Sequence, residues 1–131
     1  MKNRKSFLAL LALLALVLAG CSRKQVLHVY TWADYFSPEV IARFEKENDC
    51  IVKQDIFDSN EMMFAKLQAG GTGYDIIVPT HYFIGKMASE GMIVKLDKSR
   101  LPNLKHLDPE IVALMNPMVL EYSVPYFMSY T

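Results

Sequence analysis

The sequence predicts an α/β fold in which a mostly parallel β-sheet is flanked by helices. Short runs rich in Val, Ile and Leu alternate along the chain with longer segments whose apolar residues recur at helical spacing. Helix-start signals follow the first two runs within a few residues, and Gly or Pro closes several of the segments. Strands that alternate with helices are typical of parallel sheets joined by right-handed crossovers.

The first strand and helix are predicted from the segment after the N-terminal region. Residues 25–30, QVLHVY, are mostly apolar and predict a buried strand of a sheet covered on both faces. Ser37 is a typical N-cap, and Pro38 occupies the first position of a helix predicted over 37–48. A strand, a short loop and a helix therefore follow one another.

The same order recurs in the next segment. Residues 51–57, IVKQDIF, predict a strand, and residues 58–70 predict a helix that starts at Ser59 or Asn60 and ends at Gly70. A third strand and a third helix complete the predicted pattern, over 74–79 and from Tyr82 to Glu90.

The remainder of the chain is less regular. In order, it carries a possible short strand over 92–97, a loop over 99–107, a short helix over 109–115 opened by Asp108, and a strand-like segment over 119–131. No closing helix or polar tail follows this last segment, so the chain is expected to be an N-terminal fragment.

The first 21 residues predict export and lipid attachment. Residues 1–5 are basic, residues 7–19 are an apolar run, and LAGC ends at Cys21, which is the pattern of a signal peptide over residues 1–20 with a bacterial lipobox. Cys21 would be lipidated and would hold residues 21–25 as a tether at a membrane, in the periplasm or outside the cytoplasmic membrane. The alternatives are an ordinary signal peptide cut nearby or a spanning anchor, although the run is shorter than the ~20 residues a span needs.

Charge and motifs exclude several classes of function. The chain has 14 basic and 14 acidic side chains, and loss of residues 1–20 removes Lys2, Arg4 and Lys5, which leaves 11 against 14. A mildly acidic chain without a basic stripe is not typical of nucleic-acid binding. Hydrolase, P-loop and metalloprotease signatures are missing, so neither an enzyme, a cofactor nor a metal site is predicted. The lone Cys50 is expected to be a small buried hydrophobe.

The candidate site lies in the loops that follow the three predicted strands, because ligands of open α/β sheets bind at the carboxyl ends of the strands. These loops are TWADYF, FDSNE and PTHYF, and none contains Lys or Arg. Their aromatic, acidic and polar residues are Trp32, Asp34, Tyr35, Asp58, Glu61, Thr80, His81 and Tyr82. Of these eight, the predicted ligand residues are Trp32, Asp34, Tyr35, Glu61, Thr80 and Tyr82.

Such a combination suits an ammonium ligand. Aromatic faces attract a cation with about 2 kcal/mol or more once the cation is desolvated, and a carboxylate adds a charge-assisted hydrogen bond. The acids Asp34 and Glu61 would repel an anion. The structural alternatives are core packing for Trp32 and Tyr35, and helix capping or compensation of the helix dipole for the two acids.

Four segments resemble a known family in order and spacing. They are VYTWADYFSPEVIARFEKE, FDSNEMMFAKLQAGGTGYDIIVP, EGMIVKLDKSRLPNLKHLDPE and SVPYFMSYT, and they look like the N-terminal part of the spermidine/putrescine-binding proteins of bacterial ABC importers. The resemblance implies a two-lobed solute-binding fold that closes on its ligand by a hinge motion and delivers it to a permease. Residues 26–131 would form part of lobe one, without lobe two.

The resemblance also implies roles for particular residues. Trp32, Asp34 and Tyr35 match the family's first-loop motif of the polyamine pocket, and Thr80 and Tyr82 match the loop after the third strand. Thr80 stands where Ser is common and Ala33 where a hydroxyl residue is usual, so the choice between putrescine and spermidine is open. Two other readings remain: a binding protein for another solute, and a surface lipoprotein antigen or gene remnant.

Overall fold

The computed structural model describes residues 23–128, which form one three-stranded parallel sheet and five α-helices. The predicted signal peptide and Cys21 lie outside this range. The strands are β1 (Gln25–Thr31), β2 (Cys50–Ile56) and β3 (Ile76–Ile77), in the spatial order β2-β1-β3. The register runs from Gln25 opposite Cys50 to Thr31 opposite Ile56, so β1 and β2 end together.

The helices are α1 (Pro38–Asn48), α2 (Asn60–Gln68), α3 (His81–Ser89), α4 (Pro109–Leu114) and α5 (Pro117–Tyr122), with 3₁₀ turns at Lys98–Arg100 and Pro102–His106. Each of the first three helices follows a strand, as the alternating pattern predicts. Within residues 23–128, no helix combines the length and apolar character that a membrane crossing requires.

Side-chain caps explain where the first two helices begin. The Ser37 hydroxyl accepts a hydrogen bond from the Val40 N–H at 3.3 Å, and Pro38 has the fixed φ that a first turn needs. The Ser59 hydroxyl accepts from the Met62 N–H at 3.1 Å, so Ser59 is the cap and Asn60 is the first helical residue. The two caps leave α1 and α2 starting just beyond the ends of β1 and β2.

Aromatic and methionine side chains build the core between β1, α2 and α3. Tyr30, Phe57, Met63, Phe64, Phe83 and Met87 form one buried cluster. Met63 and Met87 are fully buried, and truncation of such side chains to Ala typically costs about 2–5 kcal/mol. Since Phe57 directly follows β2, this core extends to the carboxyl ends of the strands.

The sheet departs from the predicted strands in three segments. Only Ile76–Ile77 of the segment 74–79 pairs with β1. Residues 92–97 do not form a strand here, and the Leu96 N–H instead donates to the Glu121 carbonyl of α5 at 2.9 Å. The prediction of a strand-like segment over 119–131 is wrong for its start, which is helical.

The helix α5 forms because a helix-start signal, Asn116 followed by Pro117, precedes the apolar residues that were expected to form a strand. Asn116 Oδ1 accepts from the Met118 N–H at 2.9 Å, and Pro117 occupies the first helical position. Val119 is buried on the inner side of the helix. The Asn116-Pro117 pair therefore starts a helix, and Ser123 is the first residue after that helix with extended backbone angles.

The predicted short helix after the loop is confirmed. Asp108 Oδ1 accepts from the Glu110 N–H at 2.8 Å at the start of α4. The buried position expected for Cys50 is also found, since this residue is 8% exposed at the start of β2.

Candidate functional site

An open depression of about 460 Å³ lies where β1 and β2 end. It is lined by residues from all three loops that follow the strands, namely Trp32, Ala33, Tyr35, Phe57, Asp58 and Thr80. Among these lining residues of the described chain, the only formally charged side chain is the carboxylate of Asp58. The lining therefore offers aromatic surface and one negative charge, which suits a cation with an apolar portion.

The first loop places two aromatic rings side by side. Trp32 packs edge-on against Phe57, with ring centroids 4.5 Å apart and an interplanar angle of 61°. The Tyr35 ring lies 6.4 Å from Trp32. Both rings are half-buried, so they have one side in the fold and another available to a ligand.

A left-handed residue makes this loop turn. Asp34 has φ 59°, a conformation in which Asp and Asn are tolerated better than most side chains. Asp34 is exposed beside the depression and is absent from its lining. An Asp at this position thus suits the backbone conformation of the turn, in addition to any role toward a ligand.

The second loop supplies the floor and the acid of the depression. The Phe57 N–H donates to the Thr31 carbonyl at 3.0 Å, which ties this loop to the first one, and the Phe57 ring is 3% exposed. Asp58 follows immediately and is exposed. A rigid aromatic floor and a solvated carboxylate therefore come from neighbouring residues.

The third loop is fixed to the second by one buried amide. Asn60 is 5% exposed, and its Nδ2 donates to Thr80 Oγ1 at 2.9 Å and to Tyr82 Oη at 3.2 Å. The Thr80 N–H donates back to Asn60 Oδ1 at 3.0 Å. Thr80 consequently lines the depression from a held position, and Tyr82 stands beside it with 58% of its surface exposed.

The segment after α5 packs on the outside of the first loop. The Tyr126 hydroxyl donates to the Tyr35 carbonyl at 2.6 Å, and its ring lies 5.1 Å from Phe36. The Phe127 ring lies 5.9 Å from Tyr35. The segment SVPYFMSYT is part of the family resemblance, but the sequence predicts no contact between it and the site. Its Tyr-Phe pair was the available signal.

A separate cluster of ionisable groups with perturbed pKa values comprises Asp55 on β2, Lys66 on α2 and Tyr74 just before β3. The Tyr74 hydroxyl donates to Asp55 Oδ2 at 2.5 Å, and Lys66 Nζ donates to Tyr74 Oη at 2.6 Å. These contacts lower the pKa of Asp55 and raise that of Lys66, while desolvation first and the Asp55 carboxylate second raise the pKa of Tyr74. Lys66 also lies 4.6 Å from the Tyr30 ring centroid. The Lys66 ammonium group therefore already has its partners within the fold.

The structure brings together three of the six predicted ligand residues in the lining of the depression. These three are Trp32, Tyr35 and Thr80. Outside the lining are Asp34, Glu61 in the first turn of α2, and Tyr82. No group of three or more His, Cys, Asp or Glu side chains within residues 23–128 is arranged to hold a metal ion.

Three lining residues, Ala33, Phe57 and Asp58, are absent from the predicted ligand set, and two of them, Phe57 and Asp58, are proposed here to shape the site. Asp58 belongs to the second of the three predicted loops, but the acids of the predicted ligand set are Asp34 and Glu61. The helix start at Asn60 places Asp58 before the helix and Glu61 within it. The sequence predicts Phe57 only as the end of a strand. A Phe directly before an acidic loop residue was the signal for both.

Comparison with known proteins gives a consistent set of relatives. Residues 1–116 match the family described as hypothetical lipoprotein (MG045 family). The putrescine-binding periplasmic protein PotF of Escherichia coli strain K12 is 45% identical over 94 residues, which are 72% of this chain and 25% of that protein.

Solved structures agree with the sequence relatives. The spermidine/putrescine ABC transporter substrate-binding protein PotD of Streptococcus pneumoniae is 39% identical with a TM-score of 0.72, over 79% of this chain and 32% of that one. The Tp0655 (TpPotD) lipoprotein of Treponema pallidum is 36% identical with a TM-score of 0.72, over 79% and 33%. The chain thus spans about a quarter to a third of these relatives (25% to 33%).

Proposed function

The chain belongs to the MG045 family of hypothetical lipoproteins and is a homologue of putrescine- and spermidine-binding proteins, and we propose that it binds a polyamine for an ABC importer. The observation that carries the proposal is the depression that Trp32, Tyr35 and Asp58 line together. An alkyl diamine has two ammonium ends and an apolar middle. The lining offers a complementary surface to one end and to part of the chain.

The chemistry of binding follows from the side chains. The faces of Trp32 and Tyr35 cover the methylene groups and attract the ammonium through cation–π contacts. The Asp58 carboxylate accepts a charge-assisted hydrogen bond, and the Thr80 hydroxyl oxygen accepts a further one. Outside the lining, the carboxylates of Asp34 and Glu61 add to the negative potential that attracts a cation, and these residues or Tyr82 bind the distal part of a longer polyamine.

The proposed organisation follows the predicted boundaries. Residues 1–20 are a lipoprotein signal peptide, residues 21–25 carry a lipidated Cys21 and a tether, and residues 26–131 are part of lobe one of a two-lobed binding protein. The lipoprotein family and the lipoprotein relative from Treponema pallidum support the anchor. The anchored chain would work in the periplasm or at the outer face of the cytoplasmic membrane, beside the permease subunits of the importer.

Binding and delivery, rather than catalysis, is the role we propose. The lining combines aromatic rings, the carboxylate of Asp58 and the hydroxyls of Tyr35 and Thr80, a combination that suits the binding of an organic cation. The printed names of the relatives describe substrate-binding proteins of transport.

Calorimetric titration of the chain with putrescine and spermidine tests the proposal. Heat that saturates for either polyamine, and that weakens as salt is raised, is expected because the contact is partly electrostatic and exposed. The Asp58→Asn variant should bind about tenfold or more weakly, since a charge-assisted hydrogen bond becomes a neutral one.

The matched control is Asp49→Asn. Asp49 is an exposed Asp with φ 47° at the end of α1, at the opposite end of the sheet's strands from the depression, where it pairs with Lys24. This variant should bind as the unmodified chain does. No heat with either polyamine would contradict the proposal, and equal losses in both variants would remove Asp58 from the site.

A further inference from the structure

The side chain of Asn60 has a function that helix capping does not explain. Asn60 was a candidate for the cap of α2, but Ser59 makes the capping bond to the Met62 N–H. Asn60 is the first helical residue, where a side chain is free to turn away from the helix. It is nevertheless 5% exposed and makes three hydrogen bonds to the loop after β3.

The orientation of the Asn60 amide is fixed by its partners. The Thr80 backbone N–H can only donate, so the atom that it meets at 3.0 Å must be the carbonyl oxygen Oδ1. Nδ2 is then the donor to the hydroxyl oxygens of Thr80 and Tyr82. Each hydroxyl oxygen spends one lone pair on Asn60 and retains its hydrogen and a second lone pair.

This arrangement determines what the third loop offers to the depression. Thr80 lines the depression, so its free lone pair is available to an ammonium N–H, which can only donate. Without the Asn60 amide, the Thr80 hydroxyl could rotate, and the backbone of the loop would lose the bond that fixes its distance from Asp58. The same amide holds the hydroxyl of Tyr82, an exposed residue.

We propose that Asn60 is a positioning residue of the polyamine site. Without touching the ligand itself, it holds Thr80 so that the Thr80 hydroxyl oxygen accepts from an ammonium group, and it holds Tyr82 beside the depression. This inference rests on the proposed function. It assigns to a buried amide at the start of α2 the task of joining the second and third loops into one binding surface.

Two substitutions at Asn60 separate positioning from a merely structural role. Asn60→Ala removes all three hydrogen bonds. Asn60→Asp keeps an acceptor for the Thr80 N–H, and the hydroxyls of Thr80 and Tyr82 can donate to its second oxygen. A carboxylate in the first turn of a helix is also favoured by the helix dipole, although its burial is unfavourable. The Asp variant therefore restores the loop geometry without restoring the amide.

Gln68→Ala is the matched control. Gln68 is the last residue of α2, and its Nε2 donates to Glu90 Oε2 at 2.9 Å. Like Asn60, it joins α2 to the region of α3 through a side-chain amide, but it does so at the end of α2 away from the depression. Its removal should not alter the site.

Three measurements on each chain decide the question: calorimetric affinity for putrescine, the hydrogen-exchange rate of the Thr80 amide, and the urea midpoint of unfolding. Asn60→Ala should weaken putrescine binding about tenfold, which corresponds to the net free energy of one to two hydrogen bonds, and should speed hydrogen exchange of the Thr80 amide. Asn60→Asp should return both values toward those of the unmodified chain, even where its urea midpoint is lower. Gln68→Ala should change neither.

The contrary outcomes are distinct. If the unmodified chain binds putrescine and Asn60→Ala binds equally well, the inference is wrong while the proposed function stands. If affinity follows the urea midpoint across all three variants, Asn60 is structural and the inference is again wrong. If the unmodified chain shows no heat with putrescine, the proposed function fails and the inference fails with it.

Discussion

Phe57 belongs both to the core and to the floor of the depression, so its replacement by Leu should change the stability of the fold and the packing of Trp32 in the depression. The ring makes two edge contacts, with Tyr30 at 4.9 Å and 78° and with Trp32 at 4.5 Å and 61°. Aromatic pairs of this kind contribute about 0.5–1.5 kcal/mol each beyond the burial of their area. Leu keeps most of the apolar burial but neither pair, so Phe57→Leu should lower the free energy of unfolding by about 1–3 kcal/mol.

Urea unfolding followed by far-ultraviolet circular dichroism measures this change. The midpoint should fall while the slope stays constant, since the same surface is exposed on unfolding. Trp32 emission in the folded state should shift to longer wavelength, because the ring loses the partner on which it packs. Phe44→Leu on α1 is the control, as Phe44 is 42% exposed and should change stability by less than about 0.5 kcal/mol.

A Phe57→Leu midpoint equal to that of the unmodified chain would refute the aromatic packing described for the floor. A loss of unfolding free energy no greater than that of Phe44→Leu would also refute it, because the aromatic pairs of Phe57 would then contribute nothing beyond what an exposed Phe contributes.

Three further predictions concern hydrogen bonds and the first loop. Tyr74→Phe removes the hydrogen bond that is the main cause of the lowered pKa of Asp55. The stability contributed by this bond is present above the unfolded pKa of an Asp and is lost as pH falls through the lower folded pKa. The difference in urea midpoint between the variant and the unmodified chain should therefore shrink below about pH 4. Tyr126→Phe removes the bond to the Tyr35 carbonyl and should cost about 1 kcal/mol in the same assay, whereas an unchanged midpoint would show that the segment after α5 does not hold the loop. Asp34→Asn keeps a residue suited to φ 59° and should leave stability within about 0.5 kcal/mol while weakening putrescine binding in calorimetry; unchanged affinity would restrict Asp34 to its conformational role.

The order of strands and helices was predictable because its signals are local. Ser37, Pro38 and Asp108 act within one helical turn, and the alternation of apolar runs with helical periodicity needs no tertiary information. The carboxyl ends of the strands were predictable as the place of the site for a similar reason, since parallel strands must end at the same edge of the sheet.

The features of the site that could not be predicted from the sequence depend on contacts between distant segments. The pairing of Tyr126 with Tyr35 joins residues 91 positions apart, and no local pattern encodes it. The choice of Asp58 over Glu61 as the acid of the lining depends on how the three loops pack against one another, because Asp58 precedes α2 and Glu61 lies in its first turn whether Ser59 or Asn60 is the cap. The bonds from Asn60 to the third loop need the two loops to be side by side first.

The proposed site can be tested most directly through Trp32, which is the single tryptophan of the chain and lines the depression. Titration with putrescine, followed by Trp32 emission at low ionic strength, should give a saturable change that weakens as salt is added, whereas a dicarboxylate of similar length should give none. No change with putrescine, or an equal change with the dicarboxylate, would contradict a cation site at the carboxyl ends of β1 and β2.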